Sequence, residues 1–207
     1  MWVNAMKKKD KIITIIFIIV FVLLVTPIIV KVILDFNNDI APEEISKIDY
    51  YGYSLSNNDT DLYKDTYKKL DKVLGEEIID YSAYASLLSK LFVIDVFTLD
   101  NKLSSTDIGG LEFIHDSFED NFRENMGSTL YNHVLSNIDG KRTQKLPVVK
   151  NVNVNNIFET EYEYNDIKYH AYLVKCYFDY EEDLGYQTVI NLTIINDNNV
   201  LYIVKGE

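Results

Sequence analysis

Few residues of this 207-residue chain have the type and spacing to do chemistry. Asp95 is the first. Its neighbours Val93, Ile94, Val96 and Phe97 are apolar, and burial against a sheet would make its carboxyl a plausible acid or base. The competing reading is an aspartate hydrogen-bonded to a tyrosine or to backbone. Glu112 and His115 have the i, i+3 spacing of a di-iron ligand pair, with Glu119 one turn on. A di-iron bundle needs two such motifs and two further carboxylates, and no second Glu-x-x-His occurs. His133 and His170 complete the histidines, and His170 reads as an edge or packing residue near the start of a strand. Asp59, Asp61 and Asp65 begin like a calcium loop, but Leu70 stands where its closing glutamate belongs. Glu181, Glu182 and Asp183 read as a solvated hairpin tip.

The single cysteine, Cys176, excludes a disulfide framework and a zinc site built on two or more thiolates. On a strand face with Tyr172, Val174 and Phe178 it reads as a small buried hydrophobe. No glycine-rich phosphate loop or nucleophile elbow is present. Asp95 therefore stands as the one weak candidate for ligand binding or catalysis, and no cofactor or metal is implied.

Charge narrows the partners. Residues 35–207 carry 15 Lys/Arg against 31 Asp/Glu, a net charge of −16. Such a surface repels phosphate backbones, so nucleic acid is excluded as a partner. Lys141, Arg142 and Lys145 form a basic loop within this acidic stretch. They are the candidate interaction residues, for an acidic partner or for the Glu159, Glu161 and Glu163 stripe of a second copy.

These residues need elements to position them. Residues 12–34 form a 23-residue apolar run, broken by Thr14, Thr26, Pro27 and Lys31. About 20 such residues span a bilayer. The run is longer than a secretory signal's apolar region, and Asp35 to Asp39 offer no cleavage site. The expectation is an uncleaved transmembrane signal anchor. Lys7, Lys8, Lys9 and Lys11 against Asp10 give the preceding flank a charge of +3. By the positive-inside rule, residues 1–11 become a cytoplasmic tail. Residues 35–58 become a tether and domain entry, and 59–207 an extracytoplasmic domain on a single-pass cell-membrane protein.

Within that domain, helical periodicity predicts helices over about 60–74, 81–99 and 110–135, the last breakable at Gly127. The second is apolar nearly all round in its C-terminal half, which marks a central helix. After Pro147 the period falls to two. A first strand puts Val152, Val154, Phe158, Tyr162 and Tyr164 on one face. Strands over 167–180, 186–195 and 200–204 follow, joined by short polar turns. The third places Ile190, Leu192 and Ile194 inside and Asn191 outside. Helices followed by an antiparallel meander give an α+β fold, two to three helices on one face of a curved four-stranded sheet.

That order of tail, span, helices and four-stranded meander resembles the nuclear transport factor 2-like fold. In membrane-anchored form it resembles the bitopic inner-membrane scaffold subunit of bacterial type IV secretion and conjugation systems. The segments Ile48 to Tyr53 and Gly140 to Pro147 also look like those of small membrane proteins of low-GC bacteria. The scaffold's Asn-Pro-x-Gly motif is absent. The resemblance implies a cone-shaped helix–sheet cavity and a role in envelope assembly. Three readings follow. One is a non-enzymatic scaffold contacting the bilayer through 12–34 and other envelope proteins or itself. Another is a binding domain for a small or cell-wall ligand in the cavity. The third is an enzyme using Asp95.

Overall fold

The computed structural model describes residues 18, 19, 21–23, 25–27 and 43–207. The chain divides into two units, Met1–Ala41 and Pro42–Glu207. In the first, the described residues are helical, and Thr26 Oγ1 donates to the Val22 carbonyl at 2.6 Å. Among the described residues no helix is long and apolar enough to cross a membrane. Crossing needs about 20 consecutive residues, and only eight of the run are described. The expected signal anchor, the single-pass topology and the extracytoplasmic location are therefore not supported. Both ends of 12–34, and the whole basic tail 1–11, lie outside the described residues.

The second unit is α+β. Its elements are β1 (Glu44–Ile48), β2 (Tyr53–Ser56), α1 (Asp61–Leu74), α2 (Tyr81–Phe97), a 3-10 turn (Leu111–Phe113) and α3 (Asp116–Ser128). The strands β3 (Val149–Tyr164), β4 (Ile167–Tyr180), β5 (Val189–Asp197) and β6 (Val200–Gly206) follow. The unit starts ahead of the expected residue 59, because part of the expected tether pairs as the β1–β2 hairpin.

Local chemistry starts the first two helices. Thr60 caps α1 by accepting from the Tyr63 N–H, and Asp80 caps α2 by accepting from that of Ala83. Tyr63, Thr66, Tyr67 and Leu70 make the buried stripe of α1. The longer α2 buries residues on every side, Tyr84, Leu88, Leu91 and Phe92 among them. It packs between α1 and the strands β3 and β4, with Phe97 4.8 Å from Phe178 by ring centroid.

The main sheet has the order β3-β4-β5-β6, every neighbour antiparallel. Asn165 and Asp166 (φ 51° and 62°) turn β3 into β4, and Asn198 and Asn199 (φ 51° and 69°) turn β5 into β6. Two successive left-handed residues make the tight turn whose twist suits a hairpin, and Asn and Asp tolerate that region best after glycine. Ile190, Leu192 and Ile194 are buried and Asn191 is exposed, as the alternation predicts. The β1–β2 hairpin is tied to β6 through Tyr53. Its hydroxyl donates to the Leu201 carbonyl at 2.9 Å and is hydrogen-bonded to that of Tyr84, which accepts from the Leu201 N–H at 3.2 Å.

Three expectations need correction. The sheet is not curved. Curvature is built by bulges placed together across a sheet, whereas the register breaks here are separate, in β3 and between β5 and β6. The second correction lies within β3. The break between Val154 and Asn156 inverts the alternation, so Ile157 turns to the core and Phe158 is 61% exposed on the opposite face. Third, the expected helix over 110–135 breaks at Ile114 and His115, not at Gly127, which lies inside α3. Ile114 bridges to Ile203, and the His115 N–H donates to the Ile203 carbonyl at 3.2 Å. Pairing with β6 thus overrides helical propensity at this point.

Candidate ligand-binding cleft

Asp95 lies in the last turn of α2 and faces a polar recess of about 140 Å3. Its Oδ1 accepts from Lys102 Nζ at 2.5 Å and its Oδ2 from the Gly110 N–H at 2.6 Å. The Lys102 side chain is 7% exposed. Burial works against its charge, but Asp95, aided by Tyr131 and Asp107, prevails and raises its pKa. A Cβ at Gly109 would lie 2.5 Å from the Asp95 carbonyl oxygen, so only glycine lets the loop come this close. The Tyr131 hydroxyl accepts from the Gly109 N–H at 3.1 Å and donates to the Val96 carbonyl at 2.8 Å. Asp95 therefore clamps the loop after α2. Each oxygen is engaged by one donor of that clamp.

Glu112 closes the other side of the recess. Its Oε2 accepts from the Ser54 N–H at 3.0 Å and from Ser54 Oγ at 2.6 Å. Tyr63 Oη lies 3.0 Å from Oε1 and 3.2 Å from the Ser54 carbonyl oxygen. The Tyr63 hydroxyl is a shared donor to these two oxygens. Burial pushes Glu112 up to about 7 despite the lowering effect of these hydrogen bonds. Asp59 is also raised, by burial first, while its Oδ2 accepts from the Ser56 N–H at 2.6 Å.

A pH dependence follows with a definite sign. The folded state holds the Glu112 proton to about 7, whereas the unfolded chain releases it near 4.5. Stability is fully present below the lower value and is lost as pH rises through the higher one. The loss is about 2–3 kcal/mol. Glu112→Gln keeps an acceptor for Ser54 and a donor for Tyr63. In urea denaturation it should match wild type near pH 5 and exceed it at pH 8. Parallel pH profiles for the two proteins would show that Glu112 ionises normally.

The other expected candidates disperse. Glu112 faces the recess, whereas His115 caps α3 through Nδ1 and sets Nε2 3.4 Å from Asp197, so the two do not converge. His133 is exposed, and His170 lies 3.3 Å from Glu159. Among the described residues no group of three or more His, Cys, Asp or Glu side chains is placed to hold a metal ion. Burial pushes the Cys176 thiol up to about 12, so it stays a thiol. In the basic loop, the Arg142 side chain is 3% exposed and donates to the carbonyls of Lys102, Asp100 and Leu135. Lys145 pairs with Glu182 at 2.9 Å and Lys141 with Asp139 at 3.8 Å. Arg142 is thus held within the fold, whereas Lys141 and Lys145 stay exposed in surface pairs.

A second concavity has the opposite character. It is an apolar cleft of about 230 Å3 between α2, α3 and the sheet. Phe92, Val96 and Phe97 of α2 form its floor, and Ile190 and Ile203 its sheet wall. Phe118, Phe122 and Met126 form its roof. They recur every fourth residue on α3, yet α3 has no fully buried residue. Its apolar stripe lines the cleft while packing, half-buried, on the edge of the core. Phe122 and Phe92 approach to 5.8 Å between ring centroids. Gly206 keeps the sheet wall open, since a Cβ there would reach 3.2 Å from Ile190 Cδ1. Asn121, Asn125 and Lys205 stand among the lining residues as its polar members. In sequence this stripe cannot be told from an ordinary core-facing one, so the periodicity alone gives no sign of the cleft.

No protein-family model, curated protein or solved structure matches this chain. Nothing in these comparisons identifies a nuclear transport factor 2-like fold or a secretion scaffold.

Proposed function

We propose that residues 42–207 form a non-enzymatic binding domain that holds a small, largely apolar molecule in the cleft beneath α3. One observation carries this reading. An apolar concavity of about 230 Å3 opens between α2 and the sheet, roofed by a helix that has no fully buried residue. Ligand sites are concave, mostly apolar and edged by a few polar groups. The polar recess at Asp95 supports a ligand or an enzyme less well, because its carboxylates are already engaged in holding the loop. The scaffold reading has the open sheet face, where Phe158 and Leu173 are an exposed cross-strand pair. Tyr177 and Val189 form a second exposed cross-strand pair.

The test is a titration of the full chain with 1-octanol, read from the Met126 methyl resonance. Saturable one-to-one shifts are expected, lost in Gly206→Leu, which fills the sheet wall, and in Met126→Trp, which fills the roof and is read by calorimetry. Linear, non-saturating shifts in wild type would sink the proposal.

A further inference from the structure

The outer face of the main sheet, turned away from α2, is covered at one end and bare at the other. At the covered end Ala171, Ile195 and Val204 are buried, with Phe118, Tyr162, Tyr169 and Tyr202 packed against them. Further along the same face Phe158 is 61%, Leu173 44%, Tyr177 37% and Val189 37% exposed. The register pairs Phe158 with Leu173 and Tyr177 with Val189. Leu173, Lys175 and Tyr177 alternate along β4, so all three share this face. Lys175 Nζ lies 5.2 Å from the centroid of the Tyr177 ring, and its aliphatic stem fills the gap between the two pairs. The exposed side chains thus make one stripe across β3, β4 and β5.

Charge decides what meets this stripe. On its rungs the charged residues are Lys175, Lys205 and Glu207. Residues 35–207 as a whole carry −16, so the acid excess of the domain is absent from this stretch of sheet. Aromatic side chains at the centre of a patch depleted in charge are the compositional mark of a protein interface. A cationic partner would be drawn instead to acidic surfaces such as Glu159, Glu161 and Glu163, and an anionic one is repelled by the whole domain. A second copy brings the same stripe, and two acidic domains repel each other least where neither presents its acid excess. We infer that two copies of this chain pack outer face to outer face about a two-fold axis, with Phe158, Leu173, Tyr177 and Val189 of each at the centre. Such a contact is isologous and closes as a dimer. It is separate from the apolar cleft, whose sheet wall, Ile190 and Ile203, lies on the opposite face.

Sedimentation velocity of the full chain in a neutral detergent, at roughly 50 and 500 mM NaCl, tests this. A reversible monomer–dimer equilibrium is expected, about threefold tighter or more at the higher salt. Salt screens the repulsion between the two acidic domains and leaves the apolar contact intact. Leu173→Glu, at an exposed position, should weaken the dimer by about tenfold or more at both salts. Ile78→Glu adds the same charge at a residue that is 87% exposed and lies outside the sheet, and should leave the dimer within about twofold. A monomer at both salts would overturn the inference and leave the stripe to a different protein. Association that weakens with salt would overturn it by assigning the contact to ion pairs. Association that Leu173→Glu leaves unchanged would overturn it by placing the contact off this face.

Discussion

Lys102→Met should destabilise the folded unit by about 3–5 kcal/mol, the usual cost of leaving one member of a buried ion pair without its partner. Methionine preserves the length and apolar stem of the side chain and removes only the charge. What remains is the Asp95 carboxylate in a recess where one oxygen is still held by the Gly110 N–H and the other has lost Lys102. The damage should be specific to the pair. Combining Lys102→Met with Asp95→Asn should recover part of the loss, giving a coupling energy well outside the error of a double-mutant cycle. Urea denaturation near neutral pH measures all four proteins. A cost below about 1 kcal/mol, the scale of an exposed pair, would mean that water reaches Lys102 freely. Gly109 and Gly110 belong to the same clamp, so the loop from Leu99 to Gly110 should become susceptible to proteolysis in the Lys102 variant first.

Leu192→Ala should cost about 3–5 kcal/mol, the upper part of the range for a buried leucine, because Leu192 is 1% exposed in the middle of β5. Asn191→Ala should stay within about 0.5 kcal/mol, as surface substitutions do. Asn191 points to the opposite face, and its backbone, unaltered by the substitution, exchanges hydrogen bonds with Glu207. Thermal or urea denaturation of the two variants decides the matter. A larger cost for Asn191 would place β5 one residue out of register and turn its apolar face to solvent.

The β5 register was readable in the sequence because its alternation holds from Val189 to Ile194 and both neighbouring turns carry their own signals. The helices α1 and α2 were readable for the same local reasons, a capping side chain followed by a periodic stripe. Where tertiary contacts decided, the sequence was silent. The β1 strand is exposed along nearly its whole length, so nothing in its pattern distinguishes it from a tether. The bulge after Val154 leaves no mark in composition, yet it moves Phe158 from the expected inner face to the surface. Asp95 could be singled out from its apolar neighbours. Its partners Lys102 and Gly110 could not, and Glu112 stood out only for its spacing to His115, since only the folded loop brings them to one recess. The roof of the cleft is the plainest case, because Phe118, Phe122 and Met126 have the spacing of an ordinary buried stripe.

The burial of α2 on all sides has a consequence for how the chain is made. This helix is complete once residue 97 leaves the ribosome, but the strands β3 to β6 that cover it run from Val149 to Gly206. At about 5–20 residues per second, the helix waits on the order of 5–20 s before the last of its cover exists. During that interval Leu88, Leu91, Phe92 and Val93 are shielded on one side by α1 alone. The nascent chain is therefore a natural client for a ribosome-associated chaperone. Once the strands emerge the wait is short, because tight hairpins close in microseconds and every strand of this sheet pairs with its neighbour in sequence.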